Sequence, residues 1–195
     1  GFYLLERHLK RMRKSAHYFG FPFEESDAKK FLIQQSSSWL MDMRVRFLLD
    51  HKGNFQVEAT PFQPPPKLIR VVLAKEPIDS NNVFLYHKTT HRQAYKKAGF
   101  HKGDFDDVIL YNEKGEVTES TIANLAIKKE NVWITPSASC GLLPGVMREE
   151  LLEKKELVEG IITIQDLKDA PAILLFNSVR GKYEAQLGTH EDQPN

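Results

Sequence analysis

Apolar residues recur at Leu5, Leu9, Met12, Ala16 and Phe19, alternately four and three positions apart, which predicts an amphipathic helix ending near Gly20 with basic residues on its other faces. Ser26 and Asp27 are placed to cap a second helix through Lys29, Phe31, Leu32 and Ile33, fading into Ser36-Ser37-Ser38. The rhythm then changes to alternation: Val45, Phe47 and Leu49, a turn over Asp50-His51-Lys52-Gly53-Asn54, then Phe55, Val57 and Ala59, the pattern of a β-hairpin. Three prolines, Pro64 to Pro66, interrupt the sheet before a strand at Leu68–Leu73. The polar run 75–82 reads as a linker, dividing a smaller α+β domain (1–78) from a larger mixed α/β domain (83–187), with a polar tail at 188–195. Within the larger domain the pattern predicts strands at Val83–Tyr86, Asp107–Tyr111, Asn124–Ile127, Val132–Thr135, Ile161–Ile164 and Ala172–Phe176. Helices are predicted at Thr90–Gly99 and from Pro144 to about Glu156, with a turn at Asn112–Gly115. The expected fold class is α+β or α/β.

The 195 residues are 41% hydrophobic, enough for a real core, and Lys plus Arg (27) almost balance Asp plus Glu (26) for a formal charge of +1. A chain so balanced has no net field with which to hold nucleic acid or an anionic membrane, so an anion site has to be local. The sequence carries no apolar run long enough for a membrane span and no signal peptide at its start. Its one cysteine, Cys140, cannot form an internal disulfide, and a cytoplasmic location is expected. The chain begins with Gly1-Phe2-Tyr3 rather than Met, the expectation being a trimmed product or a piece of a longer chain.

Four segments could carry chemistry. In Val83-Phe84-Leu85-Tyr86-His87-Lys88, continued strand alternation would put Lys88 at a strand end on the face of Phe84 and Tyr86, partly desolvating its amine and favouring the neutral, nucleophilic form. A solvated strand-end lysine has the same pattern. The run Thr135 to Arg148 passes from a strand through a loop into a helix, and Pro144-Gly145 at the helix start leaves backbone N–H groups suited to a phosphate, or simply begins a helix. Glu119 stands just before the apolar strand at Asn124 and reads equally as an exposed acid. His8 and Arg11, three apart, flank the apolar stripe of the first helix, where Arg11 could reach a phosphate or belong to a solvated basic face. His87 and His91 lack acidic or thiol companions, so no metal site is expected. The glycine loop 141–145 contains no nucleophilic serine.

Taken in order, these segments resemble the class IV aminotransferase family, the fold type IV enzymes of pyridoxal 5'-phosphate. The family pattern has an H-L-x-R helix, a catalytic lysine, a glutamate before an N-L strand, a G-L-L-P-G-x-x-R loop and an N-S-x-R-G segment. Here these are His8-Leu9-Lys10-Arg11, Lys88, Glu119 with Asn124-Leu125, Gly141 to Arg148, and Asn177-Ser178-Val179-Arg180-Gly181. The resemblance implies a two-domain, D-amino acid aminotransferase-like fold whose first strands are missing from this sequence, with the cofactor held between the domains of a homodimer. It implies that Lys88 binds the cofactor covalently and acts as acid and base, and that Glu119 faces the pyridine nitrogen. Arg11, the backbone of Val146 and Met147, and Ser178 would surround the phosphate, with Asn124 and Leu142 also at the cofactor.

Within the family, His87-Lys88-Thr89-Thr90-His91-Arg92 is similar to the 4-amino-4-deoxychorismate lyase branch, especially the form fused to a component of aminodeoxychorismate synthase. That implies a small-molecule substrate, fusion or association with such a synthase, and release of 4-aminobenzoate and pyruvate. Arg92, one helical turn beyond Lys88, is a candidate for a substrate carboxylate. The arginine- and glycine-rich segment of many stand-alone lyases has no counterpart between Arg44 and Pro61, leaving Arg44 and Arg46 as candidate substrate contacts. The rival readings are an aminotransferase for branched-chain or D-amino acids and, from another class, a non-catalytic folded fragment or association module.

Overall fold

The computed structural model describes residues 1–99 and 104–189, so most of the expected polar tail lies outside the described residues. The chain divides into two compact units, Gly1–Pro64 and Pro65–Asn195. In the first, α1 (Leu5–Phe19) ends where Gly20 turns left-handed at φ 70°, a conformation glycine adopts without a Cβ penalty. Helix α2 (Glu25–Ser36) starts from Glu24, whose backbone is extended; Ser26 and Asp27 lie inside its first turn rather than capping it. Strands β1 (Met43–Leu49) and β2 (Phe55–Pro61) pair antiparallel around the expected turn. The hairpin's apolar face, Val45, Phe47, Phe55 and Val57, packs on buried Leu9, Ala28 and Leu32.

The second unit is built on an eight-stranded mixed sheet. Its strands are β3 (Leu68–Leu73), β4 (Asp107–Tyr111), β5 (Val117–Ser120), β6 (Asn124–Lys129), β7 (Val132–Pro136), β8 (Val158–Gly160), β9 (Ile173–Asn177) and β10 (Gly181–Gly188). They run in the order β5-β4-β3-β10-β9-β6-β7-β8. The sheet curls until its edges meet: Glu116 bridges to Thr163, and the Val117 N–H donates to the Ile162 carbonyl at 2.7 Å, protecting edge groups that would otherwise face solvent unpaired. Strand alternation then buries both faces. Val71, Ile109, Leu125, Ile127 and Leu175 form one core, while Val72, Val108 and Leu110 pack with Tyr95 of α3 (Gln93–Gly99). Ala126 and Phe176 pack with Met147 and Leu151 of α4 (Val146–Glu153).

Several expectations are corrected. The division falls at Pro64/Pro65, not over 75–82, because β3 is hydrogen-bonded in parallel to both β10 and β4 and so belongs to the large sheet. Val83–Leu85 is a single 3-10 turn instead of a strand, because the Asn82 side chain accepts the Phe84 N–H and caps it. The strand expected at Ile161–Ile164 is replaced by β8 just before it and by α5 (Ile164–Asp169), whose start is fixed by a capping box between Thr163 and Asp166. Glu119 precedes the expected strand at Asn124, but it lies within a further strand, β5, and is buried rather than exposed.

Candidate active site

Glu119 is a buried, hydrogen-bonded side chain of the large unit. It is 4% exposed, and three donors converge on it. The Tyr95 hydroxyl donates to Oε1 at 2.6 Å, the Leu143 N–H donates to the same oxygen at 3.0 Å, and Asn124 Nδ2 donates to Oε2 at 3.2 Å. Burial penalises the charged carboxylate and raises its pKa to about 7, although the Tyr95 and Leu143 donors and the charges of Lys88 and Arg92 all pull the other way. The same burial, beside the carboxylate, raises the Tyr95 hydroxyl strongly. A carboxyl poised near neutrality in a donor-rich site is a feature of functional groups.

Asn124, the first residue of β6, joins Glu119 to the loop before α4, since its Nδ2 also donates to the Leu143 carbonyl at 2.9 Å. Gly145 follows, with its backbone extended (φ −68°, ψ 146°) as the N-cap of α4. A Cβ at Gly145 would sit 2.0 Å from Asn124 Oδ1, so the residue is glycine for space and not for its dihedral angle. No side chain caps α4, whose first backbone hydrogen bond is Glu149 N–H to the Gly145 carbonyl. The preceding N–H groups, those of Val146 and Met147 among them, therefore have no partner within the helix and mark its positive end. Leu142, within this loop, is fully buried. Arg148 is 4% exposed and donates to the Pro136 carbonyl at 2.7 Å and to Glu159, tying α4 to β7 and β8.

Ser178 lies half-buried in the turn between β9 and β10. Asn177 shapes that turn by accepting the Val179 and Arg180 N–H groups at 3.0 and 2.8 Å, and its amide donates to the Ile122 carbonyl at 3.2 Å. Because Asn124 pairs with Phe176, the start of β6, the β9–β10 turn and the loop 121–123 lie at one end of the sheet.

Lys88 lies between the 3-10 turn and α3. It does not end a strand and it is exposed, correcting the expectation of a partly desolvated strand-end amine. The segment is nonetheless shaped. The Phe84 and His91 rings lie 4.1 Å apart, tilted by 34°, Thr89 Oγ1 accepts the His91 N–H at 3.2 Å, and the Tyr86 hydroxyl donates to the Ser80 carbonyl at 2.8 Å. Arg92 is half-buried; its guanidinium donates to the Thr121 carbonyl and stands 4.0 Å over the Tyr95 ring. The Thr121 hydroxyl in turn donates to the buried Asp107 carboxylate.

Lys88, Arg92, Glu119, Asn124, Leu142, Val146, Met147 and Ser178 all belong to the large unit. Arg11, Arg44 and Arg46 belong to the small one. Arg11 is half-buried on α1, while Arg44 and Arg46 share the exposed face of β1, where Arg46 pairs with Glu58 at 2.9 Å. Among the described residues no group of three or more His, Cys, Asp or Glu side chains could hold a metal ion. Tyr95 was missed by the sequence reading; its position three after Arg92 on a short helix was the available signal, and it reads there as core.

The model of the family described as amino-transferase class IV matches residues 1–186. A Schizosaccharomyces pombe protein named "Putative aminodeoxychorismate lyase" is 35% identical over 188 residues, 91% of this chain and 81% of its own. The Saccharomyces cerevisiae aminodeoxychorismate lyase is 25% identical over an alignment covering 92% of this chain and 66% of that protein. A Mesorhizobium loti crystal structure titled as a "Putative amino-acid aminotransferase" superposes with a TM-score of 0.89 at 36% identity, covering 95% of this chain and 92% of the other.

Proposed function

The chain belongs to the class IV aminotransferase family, and from that premise we propose that it is a lyase converting 4-amino-4-deoxychorismate to 4-aminobenzoate and pyruvate. Enzymes of this family depend on pyridoxal 5'-phosphate. The observation that carries the reading is the buried Glu119, a carboxyl with three donors on it and the charges of Lys88 and Arg92 acting on it.

The donor set fits the cofactor. A buried carboxylate matches a protonated pyridine nitrogen, and the uncapped start of α4 at Val146 and Met147, with Ser178 on the neighbouring turn, suits a phosphate. When bound, the cofactor supplies an electron sink for the charge left after proton removal. Glu119 holds the proton at the ring nitrogen. Lys88 would hold the cofactor through its Nζ and would serve as the base that takes the proton from the ring carbon bearing the substrate amine. Breaking the ring C–O bond would release the side chain as the enolate of pyruvate, which takes up at its methylene carbon the proton that Lys88 removed, leaving pyruvate and an aromatic ring.

The lyase reading is supported by the Schizosaccharomyces pombe relative and by the run His87 to Arg92. The 36% identity to the Mesorhizobium loti protein favours the second reading, an amino-acid aminotransferase. The two differ in what they consume. The chain incubated with 4-amino-4-deoxychorismate and no oxo acid should release 4-aminobenzoate and pyruvate in equal amounts; turnover only with 2-oxoglutarate present would establish the aminotransferase. The proposal extends to a cytoplasmic homodimer, fused to or associated with an aminodeoxychorismate synthase. The lone buried Cys140 thiol supports the compartment, and sedimentation tests the dimer.

A further inference from the structure

Glu119 has two oxygens, and they are not equivalent. Oε1 accepts both the Tyr95 hydroxyl at 2.6 Å and the Leu143 N–H at 3.0 Å. Among the described residues Oε2 accepts only Asn124 Nδ2, at 3.2 Å, a longer contact from an amide that also donates to the Leu143 carbonyl at 2.9 Å. A carboxylate oxygen carries about two lone pairs, so Oε1 is filled and Oε2 keeps one acceptor position. The Tyr95 ring is itself fixed, buried in the core between α3 and the sheet, with the Arg92 guanidinium over its face. Arg92 is held in turn by the Thr121 carbonyl.

We propose that Tyr95 is a positioning residue for Glu119: by occupying Oε1 it fixes the carboxyl's rotation and leaves Oε2 as the oxygen that meets the ring nitrogen of the cofactor. The assignment of Oε2 rests on the cofactor reading above, whereas the hold of Tyr95 on Glu119 does not. A second consequence is electrostatic. A hydroxyl donating to a carboxylate favours its charged form, and this one acts alongside the Leu143 N–H, Lys88 and Arg92 against the burial that favours the acid. Tyr95 therefore shifts Glu119 toward its charged form, the state that pairs with a pyridinium proton.

Tyr95→Phe removes one oxygen and keeps the ring, its packing and the face under Arg92. The carboxyl titration of Glu119, read by infrared difference or carbon NMR on the apoprotein, should move to higher pH by about one pH unit, the size expected when a carboxylate loses one donor. Cofactor affinity at pH 8, read by absorbance titration, should weaken about tenfold. Incorporating 3-fluorotyrosine at position 95 makes the hydroxyl a stronger donor and should move the carboxyl titration the opposite way, so the test survives a Tyr95→Phe protein that fails to fold. Opposite movements in the two variants are the expected result. A titration that stays in place in a folded variant overturns the positioning role. If the titration moves as expected and the wild-type chain fails to bind the cofactor, the Oε2 assignment and the cofactor reading fall together, and the Tyr95–Glu119 coupling stands.

Discussion

Replacing Glu119 with Gln removes a buried charge whose cost is spread unevenly over pH. In the unfolded chain a glutamate loses its proton near 4.5, whereas Glu119 in the folded protein holds it until about 7. Between those values the folded state binds more protons than the unfolded one, so stability falls as pH rises and levels off above 7. The difference, 7 − 4.5 or about 2.5 pH units, corresponds to about 3 kcal/mol at 1.36 kcal/mol per unit. The glutamine side chain does not titrate, and its carbonyl can still accept from Tyr95 and Leu143. Its NH2 group, however, would face Asn124 Nδ2, a donor against a donor, with a cost of about 1–3 kcal/mol that is the same at every pH. The offset between the two proteins is therefore uninformative, and the slope carries the test. Urea unfolding of both apoproteins at intervals from pH 4.5 to 8 should show the Gln variant gaining about 3 kcal/mol relative to wild type over that range. A difference between the proteins that stays constant across the range would refute the raised pKa, and with it the claim that Glu119 is held in a desolvated site.

Gly145→Ala should destabilise the protein by about 1–3 kcal/mol in urea unfolding, because its Cβ would meet Asn124 Oδ1 at 2.0 Å and force the loop before α4 to move; the substitution should also lower cofactor affinity in an absorbance titration. Thr163→Ala deletes one half of the capping box on α5 and should cost about 1 kcal/mol without changing cofactor affinity, which a paired stability and binding measurement checks. Phe176→Ala opens a fully buried position beneath α4 and should cost about 3–5 kcal/mol, read as a lower midpoint in the same unfolding assay.

The sequence was most legible where periodicity and turn chemistry agree. Helix α1 and the β1–β2 hairpin lie where the spacing puts them, because each buries one face and exposes the other. It was least legible where a single polar side chain outweighs an apolar run. Val83–Tyr86 has strand composition, yet Asn82 caps it into a 3-10 turn; Thr163 and Asp166 start a helix where Ile161–Ile164 suggested a strand. Strand β10 carries alternating exposed and buried residues but went unrecognised, and with it the parallel partner that draws β3 into the large sheet. At the proposed site, motif spacing singled out Lys88, Glu119 and the start of α4, all of which lie in the large unit. It could not reveal Tyr95, because a tyrosine on a helix facing the core is indistinguishable in sequence from one whose hydroxyl is committed to a buried carboxylate.

Covalent binding of pyridoxal 5'-phosphate by Lys88 is the central proposal. Borohydride added to the chain after incubation with the cofactor should fix it irreversibly, so that the intact mass rises by one reduced cofactor and peptide mapping places it on Lys88, while Lys88→Ala gains nothing. A wild-type chain whose mass does not change, or a Lys88→Ala chain labelled to the same extent, would contradict it.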